Sequence, residues 1–360
     1  TDEALDHFGG PKKIDRFITA YVAEKSALQR NKLAEVLTRP LYRRIIDIIP
    51  VTYINGLLSN ITTDAKNLLG FLSLSTAVKL ENFVAVGLGK TRTYIFRGDG
   101  EDAMKLEQAI VAIKFRSSYW KKAWGAFADS ISGKPPRDGA VKFEYSGDRY
   151  ADVFKYDVPV IGKPIEYLGI YSTFSGKMLQ SEDEFMKALS FWHEVESQAM
   201  GIMVNKRNAL VREGTKYADA DIISKKLFDD IMADPPQEIV EEAIQQARYL
   251  TNTQPLTGSM RQLEKVFNNP FAKFHFLFMR VTSNLIGAAS ERNILTAGLT
   301  PRVWKNFRAG GAKRDIAMAR MLTGSTFIGF VADGAMKGYI TGAGPYRYSD
   351  RVTMEKDGWQ

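Results

Sequence analysis

Apolar residues recur three and four positions apart through most of this chain, and that spacing constrains the fold more than any other feature. It places apolar side chains on one face of an α-helix, whereas a half-buried strand needs them at alternate positions. The clearest series lies between residues 101 and 132 and predicts a single helix whose buried face comprises Leu106, Ile110, Ile113, Trp120, Trp124, Phe127 and Ile131. We therefore predict a mainly α fold, an extended and irregular assembly of many helices.

Glycine and proline divide the chain into regions. We predict an N-terminal helical region over 1–132, a Gly/Pro-rich linker or small hairpin over 133–165, a central helical region over 166–250, and a basic, aromatic and Gly-rich helical region over 251–360. Asp234-Pro235-Pro236 predicts a break between helices. Residues 181–184 (SEDE) have the pattern of a capping box and predict a helix start.

The net charge of +8 is confined to one part of the chain. Residues 251–360 contain 15 Lys or Arg and 7 Asp or Glu, while the first 250 residues contain 34 of each. An anionic partner would therefore be expected to bind the last third.

No stretch reaches the roughly 18 uncharged apolar residues of a membrane-spanning helix. The longest uncharged run, 48–63, contains Pro50 and Gly56, and the run 321–332 is shorter. Because the chain starts without Met and has no recognisable terminal cap, we expect it to be an excerpt from a longer polypeptide.

The residue types needed for most catalytic and metal sites are scarce, since the chain has no cysteine and only three histidines. Residues 87–91 (GLGKT) resemble the end of a phosphate-binding loop, but Val84 occupies the position of its first glycine, so we predict a turn between helices. His193 lacks a second histidine four residues later, which favours a solvated helix face over a zinc site. We predict no cofactor, no metal and no catalytic residue.

A basic cluster with interleaved aromatic residues begins at Pro301. Its candidate contacts to DNA or an anionic surface are Arg302, Lys305, Arg308, Lys313, Arg314 and Arg320. Cations in such a cluster can neutralise phosphates, with Trp304 and Phe307 beside them. The alternative is a solvated basic helix whose aromatic residues lie in the core.

Four phenylalanines crowd into eight positions just upstream, and we select them as candidate assembly or membrane contacts: Phe271, Phe274, Phe276 and Phe278. A helix that is apolar nearly all round must be buried among neighbours, inserted at a membrane interface or used for assembly. The segment 321–344 contains six glycines, for which tight helix contacts or conformational change would account.

Several short segments occur in a familiar order along the chain. They are 58–69 (LSNITTDAKNLL), 180–189 (QSEDEFMKAL), 250–256 (LTNTQPL), 269–271 (NPF), 310–315 (GGAKRD), 340–345 (ITGAGP) and 358–360 (GWQ). In this order the chain resembles the conserved region of very large tailed-phage and prophage proteins described as internal virion, DNA-transfer or large polyvalent proteins. The resemblance covers most of the chain from about Leu58 onward.

The resemblance implies a structural protein carried inside the capsid near the portal and delivered with the genome into the host envelope or cytoplasm. Expected partners are further copies of the chain, portal or internal core proteins, phage DNA and the host inner membrane. Two alternatives stay open: a segment of a virion-associated enzyme that degrades peptidoglycan or processes nucleic acid, and an injected scaffold that disarms host defence.

Overall fold

The computed structural model of the protein describes residues 61–98, 100–114, 116–132, 162–256, 279–337, 339–340 and 347–357. Within them the chain forms ten α-helices, one short 3₁₀-helix and no strand, so the predicted mainly α class is confirmed. The helices are α1 (Ile61–Phe96), α2 (Leu106–Ile113), α3 (Ser117–Ile131), α4 (Gly162–Arg212), α5 (Tyr217–Ala233), α6 (Gln237–Leu250), α7 (Met279–Glu291), α8 (Pro301–Ala309), α9 (Gly311–Met336) and α10 (Tyr348–Lys356). The 3₁₀-helix spans Ala297–Leu299.

Internal contacts divide the chain into two compact units, each drawn from three separate segments. Unit 1 takes Thr1–Gly70, Trp120–Ala188 and Thr253–Val281, and unit 2 takes Phe71–Tyr119, Leu189–Asn252 and Thr282–Gln360. The predicted regions are consecutive in sequence, whereas each unit combines distant segments. Most of the predicted linker or hairpin, residues 133–161, lies outside the described residues, and 162–165 already belong to α4.

Fully buried alanines mark the places where the helices of unit 2 meet. Ala85 of α1, Ala109 of α2 and Ala319 of α9 belong to one core cluster with Val86 and Met104. A methyl group is the smallest side chain that still fills a core position, so helix backbones can approach closely at these points. A second cluster joins α4, α5 and α6 through Val195, Ala199, Ile231, Ile239 and Ala243.

The apolar series between residues 101 and 132 was predicted to form one helix, and this prediction was wrong. Lys114 is extended (φ −71°, ψ 129°), which separates α2 from α3. After this break, Tyr119 is buried and its hydroxyl donates to the Glu196 carboxylate at 2.8 Å. The buried polar contact thus lies at the start of a separate helix, which apolar spacing does not reveal.

The predicted buried face of this series was also partly wrong. Ile113 and Trp124 are 53% and 55% exposed, whereas Ala123 and Ala126 are buried. The alanines are buried because a small side chain permits close packing of the helices. Hydrophobicity alone would instead have favoured burial of the larger side chains.

Three local predictions can be compared with the helices. The break at residues 234–236 is confirmed, because α5 ends at Ala233 and α6 begins at Gln237. The predicted helix start at Ser181 is wrong, since this residue lies within α4 and its hydroxyl donates to the Lys177 carbonyl at 2.7 Å. The predicted turn at 87–91 is also wrong, since these residues continue α1.

Unit 1 packs aromatic rings from α3 against Phe185 of α4. The Trp120 and Trp124 rings lie 5.1 and 5.0 Å from that of Phe185, in edge-to-face arrangements. Two residues later on α4, buried Lys187 contacts Asp183 at 3.3 Å and Glu184 at 2.9 Å. The acidic residues that suggested a helix cap therefore neutralise a buried lysine within the helix.

Among the described residues one stretch, 64–96 in α1, is long and apolar enough to cross a membrane by length and composition. No such segment was expected from the sequence because only runs without a charged residue were considered, whereas this stretch is apolar on average and includes a few charged residues. A core helix of a soluble protein can have the same length and composition. The stretch contains Glu81, whose carboxylate is fully buried.

The glycines of α9 differ in what surrounds them, which gives a matched pair of substitutions. A Cβ at Gly324 would lie 2.2 Å from the Arg292 carbonyl oxygen, whereas one at Gly329 would meet nothing within 4 Å. We expect Gly324→Ala to lower the free energy of unfolding by about 1–3 kcal/mol through this backbone clash. Gly329→Ala should raise it by up to about 1 kcal/mol through helix propensity.

Urea unfolding followed by circular dichroism measures both variants. Equal effects of the two substitutions would contradict the close approach at Gly324.

Candidate functional site

The six predicted basic contacts lie on two helices joined by a sharp turn. α8 begins with Pro301 at its first turn and contains Arg302, Lys305 and Arg308. Gly310 and Gly311 follow with φ of 69° and 51°, a left-handed conformation that glycine adopts at little cost. α9 then begins and contains Lys313, Arg314 and Arg320.

Arg320 lies inside the protein, with its side chain only 9% exposed. Its Nη1 donates to Glu291 Oε2 at 3.0 Å, and its Nε forms an ion pair with Glu81 Oε2 at 3.4 Å. The prediction that Arg320 faces an anionic partner therefore needs correction, because this guanidinium already neutralises two buried carboxylates. Leaving such a charge unpaired inside a protein is strongly unfavourable.

Glu291 and Glu81 together bind three arginines. Glu291, at the end of α7, accepts from Arg302 Nη1 at 2.7 Å as well as from Arg320. Arg292 forms a bidentate pair with Glu81 of α1, with distances of 2.7 and 3.0 Å. Planar guanidinium groups suit this paired geometry better than an ammonium group.

Tyr249 of α6 completes the group, which we call the buried ion cluster: Glu81, Tyr249, Glu291, Arg292, Arg302 and Arg320. The guanidinium carbons of the three arginines lie 4.7 to 5.8 Å from the centre of its ring. Its hydroxyl accepts from Arg292 Nη1 at 2.8 Å and donates to Glu291 Oε2 at 3.1 Å. Burial raises the pKa of Tyr249, so the hydroxyl keeps its proton at neutral pH.

The other four basic residues lie nearer the surface. Lys313 is exposed and its Nζ contacts Glu242 Oε1 of α6 at 2.6 Å. Lys305 and Arg308 are exposed and Arg314 is half-buried, and these three have no ion pair with any of the described residues. We call Lys305, Arg308 and Arg314 the free basic surface. Arg302 is intermediate, since its side chain is 36% exposed although it binds Glu291.

A second ion pair positions the start of α9. Arg92 of α1 contacts the buried Asp315 carboxylate at 3.1 Å and also binds Asp102 at 2.9 Å. The backbone amide of Ala312 donates to the Asp102 carbonyl at 2.7 Å. The helix that carries half of the basic cluster is thus attached to α1 and to the loop after it.

His193 is half-buried and packs near the fully buried Glu196, although His193 was predicted on a solvated face. The ring of His193 packs edge-on against Tyr119, with 5.5 Å between centroids, so that prediction was wrong. Glu196 is fully buried, accepts from the Tyr119 hydroxyl and forms an ion pair with Arg116. Burial, together with the charges of Lys79 and Arg116, lowers the pKa of His193 to about 4.

Sequence reasoning selected Arg302 and Arg320 but missed the acidic residues that bind them. One signal was present: Glu81 is the one acidic residue of the largely apolar stretch 65–96, and a carboxylate in such a position needs a partner. The partners themselves were hidden, because Arg292 is 211 residues away. Phe271, Phe274, Phe276 and Phe278 lie outside the described residues.

The described residues contain no group of three or more His, Asp or Glu arranged to hold a metal ion. Comparison of the chain with protein-family models, with curated proteins and with solved structures finds no match.

Glu291→Gln tests whether the fold depends on the buried ion cluster. The amide keeps the shape but removes the charge that neutralises Arg302 and Arg320, so we expect a loss of about 3–5 kcal/mol in the free energy of unfolding. Glu242→Gln is the matched control, because its pair with Lys313 is solvent-exposed and should contribute less than about 1 kcal/mol. Chemical denaturation measures both, and similar losses would contradict a special role for the cluster.

The lowered pKa of His193 predicts a pH effect on stability. The pKa is about 4 in the folded protein and 6.5 ordinarily, so the unfolded chain binds more protons between these values. Stability should therefore fall as the pH decreases from 6.5 towards 4, by up to about 1.4 kcal/mol per pH unit from this group. The neutral variant His193→Gln should lack this component when unfolding curves are compared at pH 7, 6 and 5.

Proposed function

We propose that the chain is a structural module of a phage internal virion protein, which assembles near the portal and assists delivery of the genome into the host cell. The order of the sequence segments supports this role, as does the positive charge of the last third. The observation that contributes most is the free basic surface. Its cations are held on a folded support and form no ion pair with the part of the chain that the structure describes.

Lys305 and Arg308 lie one turn apart on α8, beside Trp304, which is 53% exposed. Residues three positions apart project from the same side of a helix. The neighbouring Arg302 anchors this helix to Glu291 at 2.7 Å. Such a helix can present cations to DNA phosphates without first becoming ordered, which lowers the entropic cost of binding.

In this proposal DNA binding is electrostatic and independent of sequence. Phosphate contacts position a protein on DNA, whereas base contacts provide specificity. A protein that guides a whole genome needs the first kind of contact. The proposed partners are phage DNA, further copies of the chain and other virion proteins of the portal or internal core.

The proposed role is one of assembly and does not require catalysis. Glu184 contacts Lys187 at 2.9 Å, and Glu196 is held by Tyr119 and Arg116. These carboxylates stabilise helices in the arrangement described. Peptidoglycan hydrolysis by the isolated chain that is abolished by Glu196→Gln would argue for the enzymatic alternative.

Lys305→Gln/Arg308→Gln tests the free basic surface. Each phosphate contact contributes about 0.9 to the slope of log Kobs against log salt concentration, so the double variant should reduce the slope by nearly 2 on duplex DNA. Lys225→Gln/Lys226→Gln is the control, because it removes two exposed cations from α5. Fluorescence anisotropy at several salt concentrations measures the slopes, and equal slopes for the two variants would contradict the DNA contact.

The virion location is tested separately from DNA binding. Mass spectrometry of purified virions of the phage that encodes the chain should detect it, and in situ cryo-EM should place it beside the portal. A chain that is never found in virions would overturn the proposed function.

A further inference from the structure

A cavity of about 1110 Å³ lies in unit 2, at the end of α1 and far along the chain from the basic cluster. Its wall is formed by the end of α1, the loop that follows, the start of α2 and one side of α4. Ligand pockets for a drug-sized molecule have about 300–1,000 Å³, so this cavity has room for a ligand of that size or larger.

The described part of the cavity wall has an excess of positive charge. Its charged residues are Lys90, Arg97, Lys105 and Arg207, together with the acidic Glu107. Arg207 is already occupied, since it contacts Glu107 at 3.3 Å and Asp221 at 3.2 Å, and Lys105 donates to the Gly100 carbonyl. Lys90 and Arg97 are exposed and form no ion pair with any described residue, which leaves two cations for an anionic ligand.

Arg97 occupies a backbone position that normally belongs to glycine. The Gly98 amide donates to the Thr93 carbonyl at 3.1 Å, which closes α1 in a Schellman motif with Arg97 as the residue after the cap. Arg97 has φ of 53°, in the left-handed region that a long side chain rarely adopts. Because glycine would fit this position without strain, the arginine side chain is better explained by a role in the cavity than by the backbone.

An aromatic residue that also lines the cavity lies between the two cations along the chain. Tyr94 follows Lys90 by one helical turn and precedes Arg97 by three residues. Its side chain lines the cavity, and the residue is 87% exposed. A tyrosine ring that is exposed beside cations is the combination on which proteins stack nucleic-acid bases while the cations bind phosphate. Thr93 and Asn208 add hydrogen-bonding groups to the same wall.

We propose that this cavity binds a nucleotide unit, with the base stacked on Tyr94 and the phosphate held by Lys90 and Arg97. The unit belongs to a single-stranded nucleic acid or to a free nucleotide, since both present the same base and phosphate. This inference is independent of the virion role, because it uses no residue of the free basic surface.

The test uses the full 360-residue chain and a fluorescein-labelled dT12 single strand, with binding followed by anisotropy. Tyr94→Ala should weaken binding by about 5- to 150-fold, as expected for the loss of one stacked base. Tyr94→Phe should retain the affinity, because stacking requires the ring and not the hydroxyl. Lys225→Gln/Lys226→Gln, remote in sequence from the cavity, should have little effect.

Arg97→Gly separates binding from folding. Glycine removes the cation and also relieves the left-handed strain, so the variant should bind dT12 more weakly while its melting temperature stays equal or rises. A lower melting temperature together with unchanged binding would overturn the assignment of Arg97.

Competition identifies the source of the nucleotide. Displacement of dT12 by millimolar AMP supports a free nucleotide, and displacement by unlabelled dT12 alone supports a strand. Absence of binding to both probes, or binding that Tyr94→Ala leaves unchanged, would overturn the proposal. In Lys305→Gln/Arg308→Gln the effect of Tyr94→Ala should persist, so failure here is distinguishable from failure of the duplex contact.

Discussion

The interaction between two buried glutamates and three arginines around Tyr249 is the constraint on which the rest of unit 2 depends. It joins α1, α6, α7, α8 and α9, which are distant in sequence, through contacts of 2.7 to 3.4 Å. A buried charge tolerates little displacement of its partner, whereas apolar side chains can repack. The cluster therefore fixes which helices meet and in what register. The close approach of Gly324 to Arg292 belongs to the same arrangement.

Part of the positive charge of the last third is used in ion pairs with acidic residues of the first 250 residues. The excess of basic residues lies in the last third, but Arg292 and Arg320 bind Glu81, and Lys313 binds Glu242, both from the first 250 residues. Part of the positive charge thus attaches the last third to the charge-balanced portion. These cations are already neutralised within the described part of the chain, so net charge per segment overstates what a partner would meet.

Local spacing was sufficient to predict the helical class and the break before α6, because both depend on neighbouring residues. It was insufficient for the buried face of α3, where Ala126 is buried and Trp124 is not, because the demand for close packing comes from the opposing helix. The roles of Arg320 and His193 were hidden for a related reason. Burial and ion pairing depend on partners brought together by the fold, and a single sequence does not show which residues these are.

The separation of Glu81 from Arg292, 211 residues along the chain, has a consequence for biosynthesis. At the usual rate of about 5–20 residues per second, a ribosome needs roughly 10–40 s to make the chain between them. During that time α1 has been translated while the cations that neutralise its central carboxylate do not yet exist. The native packing of unit 2 must therefore be completed after most of the chain has been made, with the earlier helices kept from aggregating until the last third arrives.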